Sequence, residues 1–96
     1  MATEYWQLIL ARNPQTPEAF MAVIYDLKPD ISEHDVVRWQ RASRDWTTDV
    51  FDFMWFHLKI RQGEAKWQPH VQQLWPSVQT SMAAGNLDTL LSHMSL

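Results

Sequence analysis

The sequence predicts an all-α fold, a compact bundle of five or six short-to-medium helices around a central aromatic-rich helix at about residues 48–62. Only two glycines and five prolines interrupt the 96 residues, and they fall where helices would end. No segment shows the alternation of a strand between hairpin turns. A chain this short buries only roughly 60–65% of its unfolded surface, so we expect one helical domain over residues 1–96 rather than two cores.

The first half of the chain carries three sets of helix-start signals. Thr3 can cap a helix that ends near Asn13, since a proline follows. Thr16 precedes a proline and an acid, and apolar residues then recur at i, i+3, i+4 and i+7. Ser32 opens a near capping box with acids in the first turn. The predicted helices span about residues 3–13, 17–28, 32–46, 48–62, 69–84 and 86–94.

The middle of the chain allows one long helix or two shorter ones. Nothing from Ser32 to Gln62 is glycine or proline, so a helix of roughly 30 residues is one interpretation. Thr47-Thr48 can cap a fresh helix, and we favour a break there. Gly63 is expected to end the second helix in the left-handed conformation.

The last third of the chain is predicted to hold two further helices. Pro69 opens one of them and Gly85 closes it, while Pro76 removes a backbone donor and is expected to kink or split it. Asn86 caps a final short helix.

The helix predicted at 48–62 has too much apolar surface for an ordinary amphipathic helix. At 100° per residue, Thr48, Asp52 and Lys59 form one narrow polar stripe, which we expect to face water. The apolar arc around the rest of the helix exceeds the usual stripe of roughly 100°. Either this helix is wrapped by its neighbours, or an uncovered edge meets another molecule. The residues for which sequence leaves both outcomes open are Phe51, Trp55 and Phe56.

The leading functional hypothesis is a non-enzymatic module that acts by binding another protein or a second copy of itself. It would be a regulator, inhibitor or adaptor of bacterial or phage type that blocks or recruits its partner sterically. Aromatic side chains would fill pockets of the partner, while charged residues set the register from the rim. The predicted anchors are Trp39, Phe51, Trp55, Phe56 and Trp67, and the rim residues are Arg38, Arg41 and Asp52.

Two other functions stay open. Arg38, Arg41 and Arg44 repeat at i, i+3 and i+6 on a helix that follows a short turn, as in a helix-turn-helix DNA-binding regulator. Against this, Glu33 and Asp35 would meet phosphates, and the net charge of −3 disfavours nucleic acid. The third hypothesis is a structural subunit of a larger assembly.

Several classes are disfavoured by what the sequence lacks. There is no cysteine, no catalytic serine motif and no phosphate-binding glycine loop, so we expect no enzyme and no cofactor. The four histidines lack the spacing of metal ligands, so we expect no metal. No apolar run approaches the roughly 18 residues of a membrane span. Glu4 lies where a secretory signal would be basic, which together with the missing cysteines favours the cytoplasm.

Overall fold

The structure, a computed structural model, describes residues 9, 11–42 and 47–84. Within these ranges every regular element is helical and none is a strand, which confirms the all-α class. Residues 9, 11 and 12 are helical and precede the first complete element. The elements in chain order are helix α1 (Pro17–Leu27), helix α2 (Glu33–Ala42), helix α3 (Thr47–Arg61), a 3₁₀ turn (Ala65–Trp67) and helix α4 (Gln68–Ala83).

Part of the predicted architecture falls on residues outside these ranges. The caps at Thr3 and Asn86, the helix over 86–94 and the stop at Gly85 all lie outside the described residues. A bundle of five or six helices therefore stays a prediction. So does the central position of the aromatic helix within the whole chain.

Both helix starts in the described N-terminal part follow the capping signals. The Thr16 hydroxyl accepts a hydrogen bond from the backbone N–H of Ala19 at 3.1 Å, and Pro17 opens α1. Asp35 N–H donates to the Ser32 hydroxyl and Ser32 N–H donates to the Asp35 carboxylate, both at 3.3 Å. The second pair is a complete capping box, which satisfies two backbone donors that the first turn of α2 would otherwise leave free.

Helices α2 and α3 are two separate helices, as predicted, and form an antiparallel pair, but Thr47 and Thr48 already belong to α3, so the break does not fall at the predicted Thr47-Thr48. Lys59 Nζ, near the end of α3, lies 2.7 Å from the Glu33 carboxylate at the start of α2. At the other end, the side chain of Gln40 donates to Asp52. One continuous helix would separate Lys59 from Glu33 by about 39 Å, so the chain must reverse between them.

Gly63 ends α3 as predicted. Its φ of +100° lies where residues with a Cβ are strained. Gly63 N–H donates to the carbonyl of Ile60 at 2.9 Å, and Glu64 N–H donates to the carbonyl of Lys59 at 3.0 Å. These two bonds are the pair that defines a Schellman motif, and they turn the chain sharply back toward α3.

Helix α4 continues through Pro76. Pro76 is exposed and the helix runs unbroken from Gln68 to Ala83, so of the predicted kink or split the split does not occur. The Thr80 hydroxyl donates to the Pro76 carbonyl at 3.0 Å. The helix begins at Gln68, directly after the 3₁₀ turn, and Pro69 occupies its first turn.

The core lies where α1, α3 and α4 meet. Phe20 of α1, Phe53 of α3 and Trp75 of α4 contact one another in pairs, with ring centroids 5.7–6.1 Å apart. Such edge and offset contacts add about 0.5–1.5 kcal/mol each to the area that the rings bury. Helix α3 also packs against α2 and the 3₁₀ turn. It supplies five buried core residues, Val50, Phe51, Phe53, Met54 and Leu58.

We predict that Gly63→Ala destabilises the protein by about 1–2 kcal/mol, because a Cβ disfavours the left-handed backbone. A Cβ at this position would meet no atom within 4 Å, so the backbone alone accounts for the loss. Denaturant unfolding measures it. Gly63→Asn is the control, since asparagine tolerates left-handed backbone better than alanine, and it should lose less. Equal losses in the two variants would contradict this account of the turn.

Candidate functional site

Three half-buried aromatic side chains and one exposed histidine gather on the surface where α3, the 3₁₀ turn and the start of α4 meet. We call Trp55, Phe56, Trp67 and His70 the aromatic cluster. Trp55 and Phe56 come from α3, Trp67 ends the 3₁₀ turn, and His70 lies in the first turn of α4. The cluster therefore depends on the Gly63 turn, which brings Trp67 back over the end of α3.

The rings of the aromatic cluster pack on one another. The Trp55 ring meets Phe56 and Trp67 edge to face, with centroids 5.2 and 5.7 Å away. The His70 ring stacks on Phe56 at 4.7 Å with an interplanar angle of 17°. Trp67 closes the group, 5.3 Å from both Phe56 and His70. Since each of the four rings contacts at least two of the others, they form one continuous aromatic surface.

A small ion network holds the edge of the aromatic cluster next to α2. Lys59 Nζ lies 2.7 Å from Glu33 and 3.8 Å from Glu64, and 5.1 Å from the centre of the Trp55 ring. The hydrogen bond between Lys59 and Glu33 raises the pKa of the lysine and lowers that of the glutamate. Glu64 also accepts a hydrogen bond from the indole N–H of Trp67 at 3.3 Å. The charges on this edge are thus paired.

Lys66 of the 3₁₀ turn lies beside the aromatic cluster outside this ion network. Lys66 is exposed, and its ammonium lies 5.3 Å from the centre of the Trp67 ring. Among the described residues no carboxylate lies within ion-pair distance of it. A cation–π contact with Trp67 thus holds the positive charge of Lys66 beside the aromatic cluster.

The structure divides the five predicted anchors into two groups. Trp55, Phe56 and Trp67 come together in the aromatic cluster. Phe51 is 0% exposed and Trp39 is 5% exposed, and their rings contact each other at 6.0 Å between α2 and α3. Phe51 and Trp39 are core residues and offer no surface to a partner in this conformation. His70, which the sequence reasoning did not single out, is the fourth member of the cluster.

The polar stripe of α3 faces helix α2, and the prediction that it faces water is wrong for its described members. Asp52 accepts a hydrogen bond from Gln40 and is only partly exposed. Burial raises the pKa of Asp52, the nearby Asp49 raises it further, and the bond from Gln40 opposes both. The Lys59 side chain is 18% exposed and bonded to Glu33. Asp52 therefore joins two helices. The side chain of Thr48 lies outside what the structure describes.

The predicted arginines stay on the surface of α2. Arg38 and Arg41 are both exposed, and Arg38 pairs with Asp35 of its own helix at 3.2 Å. Helices α1 and α2, the two that a helix-turn-helix would pair, are not among the closely packed helix pairs of the described chain. Arg44 lies outside the described residues.

A second polar group joins α1 to α3. Tyr25 and His57 share a hydrogen bond of 3.0 Å between the hydroxyl and Nδ1, and the Arg61 guanidinium lies 4.1 Å from the centre of the Tyr25 ring. Burial lowers the pKa of His57, the carboxylate of Glu18 opposes this, and Arg61 lowers it further. Burial raises the pKa of Tyr25 against the influence of Arg61. Neutral His57 is the form that suits this site, since Nδ1 can then accept from Tyr25.

Two kinds of site do not occur in residues 9, 11–42 and 47–84. No three histidine or acidic side chains in this part of the chain are arranged to hold a metal ion. None of its helices combines the length and the apolar character that crossing a bilayer requires.

Comparisons of the chain with known protein families, with curated proteins and with solved structures found no match. Its function therefore has to be inferred from its own residues and their geometry.

We predict that the free energy of unfolding decreases as pH falls from about 7.5 to about 5.5, because His57 resists protonation in the fold. The folded-state pKa is lowered from 6.5, so His57 stabilises the fold above that pH. Below pH 6.5, His57 binds a proton more readily in the unfolded chain than in the folded chain, so the fold loses stability. The pKa of Glu33 is lowered from 4.5, so the stability that this carboxylate contributes is lost only at lower pH.

The measurement is denaturant unfolding at several pH values, compared with His57→Gln. The glutamine cannot titrate and retains a hydrogen-bonding group for Tyr25. A smaller dependence on pH in this variant is the expected result. The same slope in both proteins would mean that His57 is not the group responsible.

Proposed function

We propose that this chain is a small, non-enzymatic protein-interaction module, a regulator, inhibitor or adaptor of bacterial or phage type that works by steric binding to another protein. The observation that carries the proposal is the aromatic cluster. Three large aromatic side chains in a small domain remain half-buried at one place on the surface, beside a core that buries Phe20, Phe51 and Phe53 completely. Uncovered aromatic area of this kind is typical of binding surfaces.

The arrangement of the aromatic cluster suits binding because its side chains are already ordered. Packing against Phe56 and Lys59 restricts Trp55, and the hydrogen bond to Glu64 orients Trp67. A side chain that is rigid before binding loses less conformational entropy on binding, which makes more of its contact energy available as affinity. Tryptophan is also the residue most enriched among those that dominate interface energetics.

Charged residues around the aromatic cluster would set the register of the partner. Lys66 is the nearest candidate, since it stands at the rim without a carboxylate among the described residues. Arg38 and Arg41 remain candidates farther along α2 because both are exposed. Asp52 is better assigned to the α2–α3 contact. We further propose that the protein acts in the cytoplasm and needs no cofactor or metal.

We predict that Trp55→Ala and Trp67→Ala each weaken binding to the partner at least about tenfold while the fold survives, since interface tryptophans typically contribute 2 kcal/mol or more. Affinity capture from a lysate of the source organism, quantified by mass spectrometry, gives the partner set of the wild type. Circular dichroism and thermal unfolding verify the fold of each variant. Undiminished capture by folded variants would show that the tryptophans are not anchors.

A matched control for this experiment is Val37→Ala. It truncates a half-buried apolar side chain on α2, a helix that contributes no residue to the aromatic cluster. Capture by this variant should equal that of the wild type. If Val37→Ala reduces capture as much as the tryptophan variants, the loss reflects general destabilisation and not the aromatic cluster.

A second candidate function, DNA binding through a helix-turn-helix, is favoured by the order α1, short turn, α2 and by the exposed Arg38 and Arg41. The acids at the start of α2 oppose it, because Glu33 and Asp35 would meet phosphate. A third candidate is a structural subunit of a larger assembly, for which light scattering would show aggregation of the isolated chain.

We predict no binding to mixed-sequence duplex DNA at micromolar protein and low salt, measured by fluorescence anisotropy. A helix-turn-helix protein should bind under these conditions through phosphate contacts, with affinity that falls steeply as salt rises. Binding of that kind, reduced by Arg38→Gln with Arg41→Gln, would favour the DNA-binding alternative over the proposed function.

A further inference from the structure

Helix α4 has a surface unlike that of the other described helices. Residues 67–87 contain no aspartate, glutamate, lysine or arginine, whereas a stretch of this length would carry about four at the chain's 20% charged composition. Helices α1, α2 and α3 all carry charged side chains. The exposed positions of α4 are four glutamines, two prolines, one threonine, one alanine and His70.

The uncharged face of α4 is continuous with the aromatic cluster through His70. That residue is exposed at the start of α4 and stacks on Phe56 at 4.7 Å. Gln73, one turn later on the same side of the helix, is also exposed, and Ser77 is partly exposed one turn beyond it. From His70 to Ser77 this side of α4 extends for about 10 Å.

The charges around this face indicate which kind of partner suits it. Proteins that bind a different protein commonly use opposite charges on the two surfaces for specificity and steering. Here the charges of Lys59, Glu33 and Glu64 are paired within the chain, and α4 offers none. Lys66 is the single unpaired charge beside the described part of the face. The surface lacks the charge pattern by which it would select an oppositely charged partner.

The same lack of charge is an advantage for a second copy of the chain. In a two-fold interface each surface meets itself, so any charge near the axis faces its own copy. Like charges placed together disfavour association. Glutamine avoids this, because its amide both donates and accepts hydrogen bonds and can pair with another glutamine. In a chain of net charge −3, pairing through this face also keeps the charged surfaces apart.

We infer that the aromatic cluster and the uncharged face of α4 form a two-fold interface with a second copy of this chain. The inference rests on the proposed function, since it takes the aromatic cluster as an interaction surface, and it names the partner. The α4 helices of the two copies would lie side by side, with Gln73 of each copy near the axis and the tryptophans of each copy covered by the other.

The test is a charge exchange on α4, measured by sedimentation velocity and light scattering over a range of concentrations. Gln73→Glu with Ser77→Glu makes an acidic variant, and Gln73→Lys with Ser77→Lys makes a basic one, since both residues lie on the side of α4 that carries His70. The wild type should dimerise. Each variant alone should dimerise at least about tenfold more weakly, since like charges would meet across the axis. An equimolar mixture should restore association, because opposite charges would then face each other.

The control adds the same charge elsewhere. Ala22→Glu with Ala42→Glu places two acids on exposed positions of α1 and α2, and this variant should dimerise like the wild type. A monomeric wild type at every concentration would overturn the inference. So would a dimer that the α4 variants leave unchanged, or variants whose mixture stays monomeric.

The experiments distinguish failure of the second-copy inference from failure of the proposed function. If the wild type is monomeric while Trp55→Ala and Trp67→Ala lose a captured protein, the aromatic cluster binds a different protein and only the second-copy inference fails. If the chain dimerises through α4 but the tryptophan variants change neither dimerisation nor capture, the aromatic cluster is not an interaction surface. In that case the proposed function and the inference both fail.

Discussion

The turn at Gly63 is the constraint on which the rest of the described structure depends. Its left-handed backbone lets Glu64 N–H reach the Lys59 carbonyl, and the 3₁₀ turn then directs α4 back along α3. That reversal places Trp75 against Phe53 in the core. It also places Trp67 over the half-buried rings at the end of α3. One residue without a side chain therefore sets both the packing of the core and the composition of the surface.

Helix α3 shows how a short chain distributes more aromatic side chains than it can bury. Neighbouring helices cover Phe51 and Phe53 completely, while Trp55 and Phe56 are covered only in part. The coverage of Trp55 and Phe56 comes from the 3₁₀ turn and the start of α4, which are too small to exclude water from three large rings. The ion network around Lys59 then fixes the edge of the uncovered area, because it joins Glu33 of α2 to Glu64 of the turn. A partly covered aromatic surface is thus a consequence of chain length and topology together.

Local signals in the sequence were sufficient to predict the helix ends. The Thr16 cap, the Ser32–Asp35 capping box and the stop at Gly63 depend on backbone chemistry within a few residues, and each formed as expected. Trp55, Phe56 and Trp67 were each predicted as anchors, but that Trp67 lies beside the other two could not be read from the sequence, because it depends on the reversal of the chain after Gly63. Phe51 and Trp39 were misplaced as anchors because a helical wheel shows which side chains share a face but not which neighbour covers that face. Asp52 was misplaced for the same reason, since it lies where α2 packs and bonds to Gln40.

The absence of charge on α4 changes how that helix is stabilised. Exposed helices commonly gain a few tenths of a kcal/mol from each ion pair at i, i+4, and α4 can form none. Its stability must come from the face that it buries, through Val71, Trp75 and Val78. The exposed side of α4 carries no charged side chain. Contact between this side and another surface would therefore remove no charged group of α4 from water. The aromatic cluster adds apolar area at the start of the same helix, so this apolar area adjoins the uncharged side of α4 that carries His70.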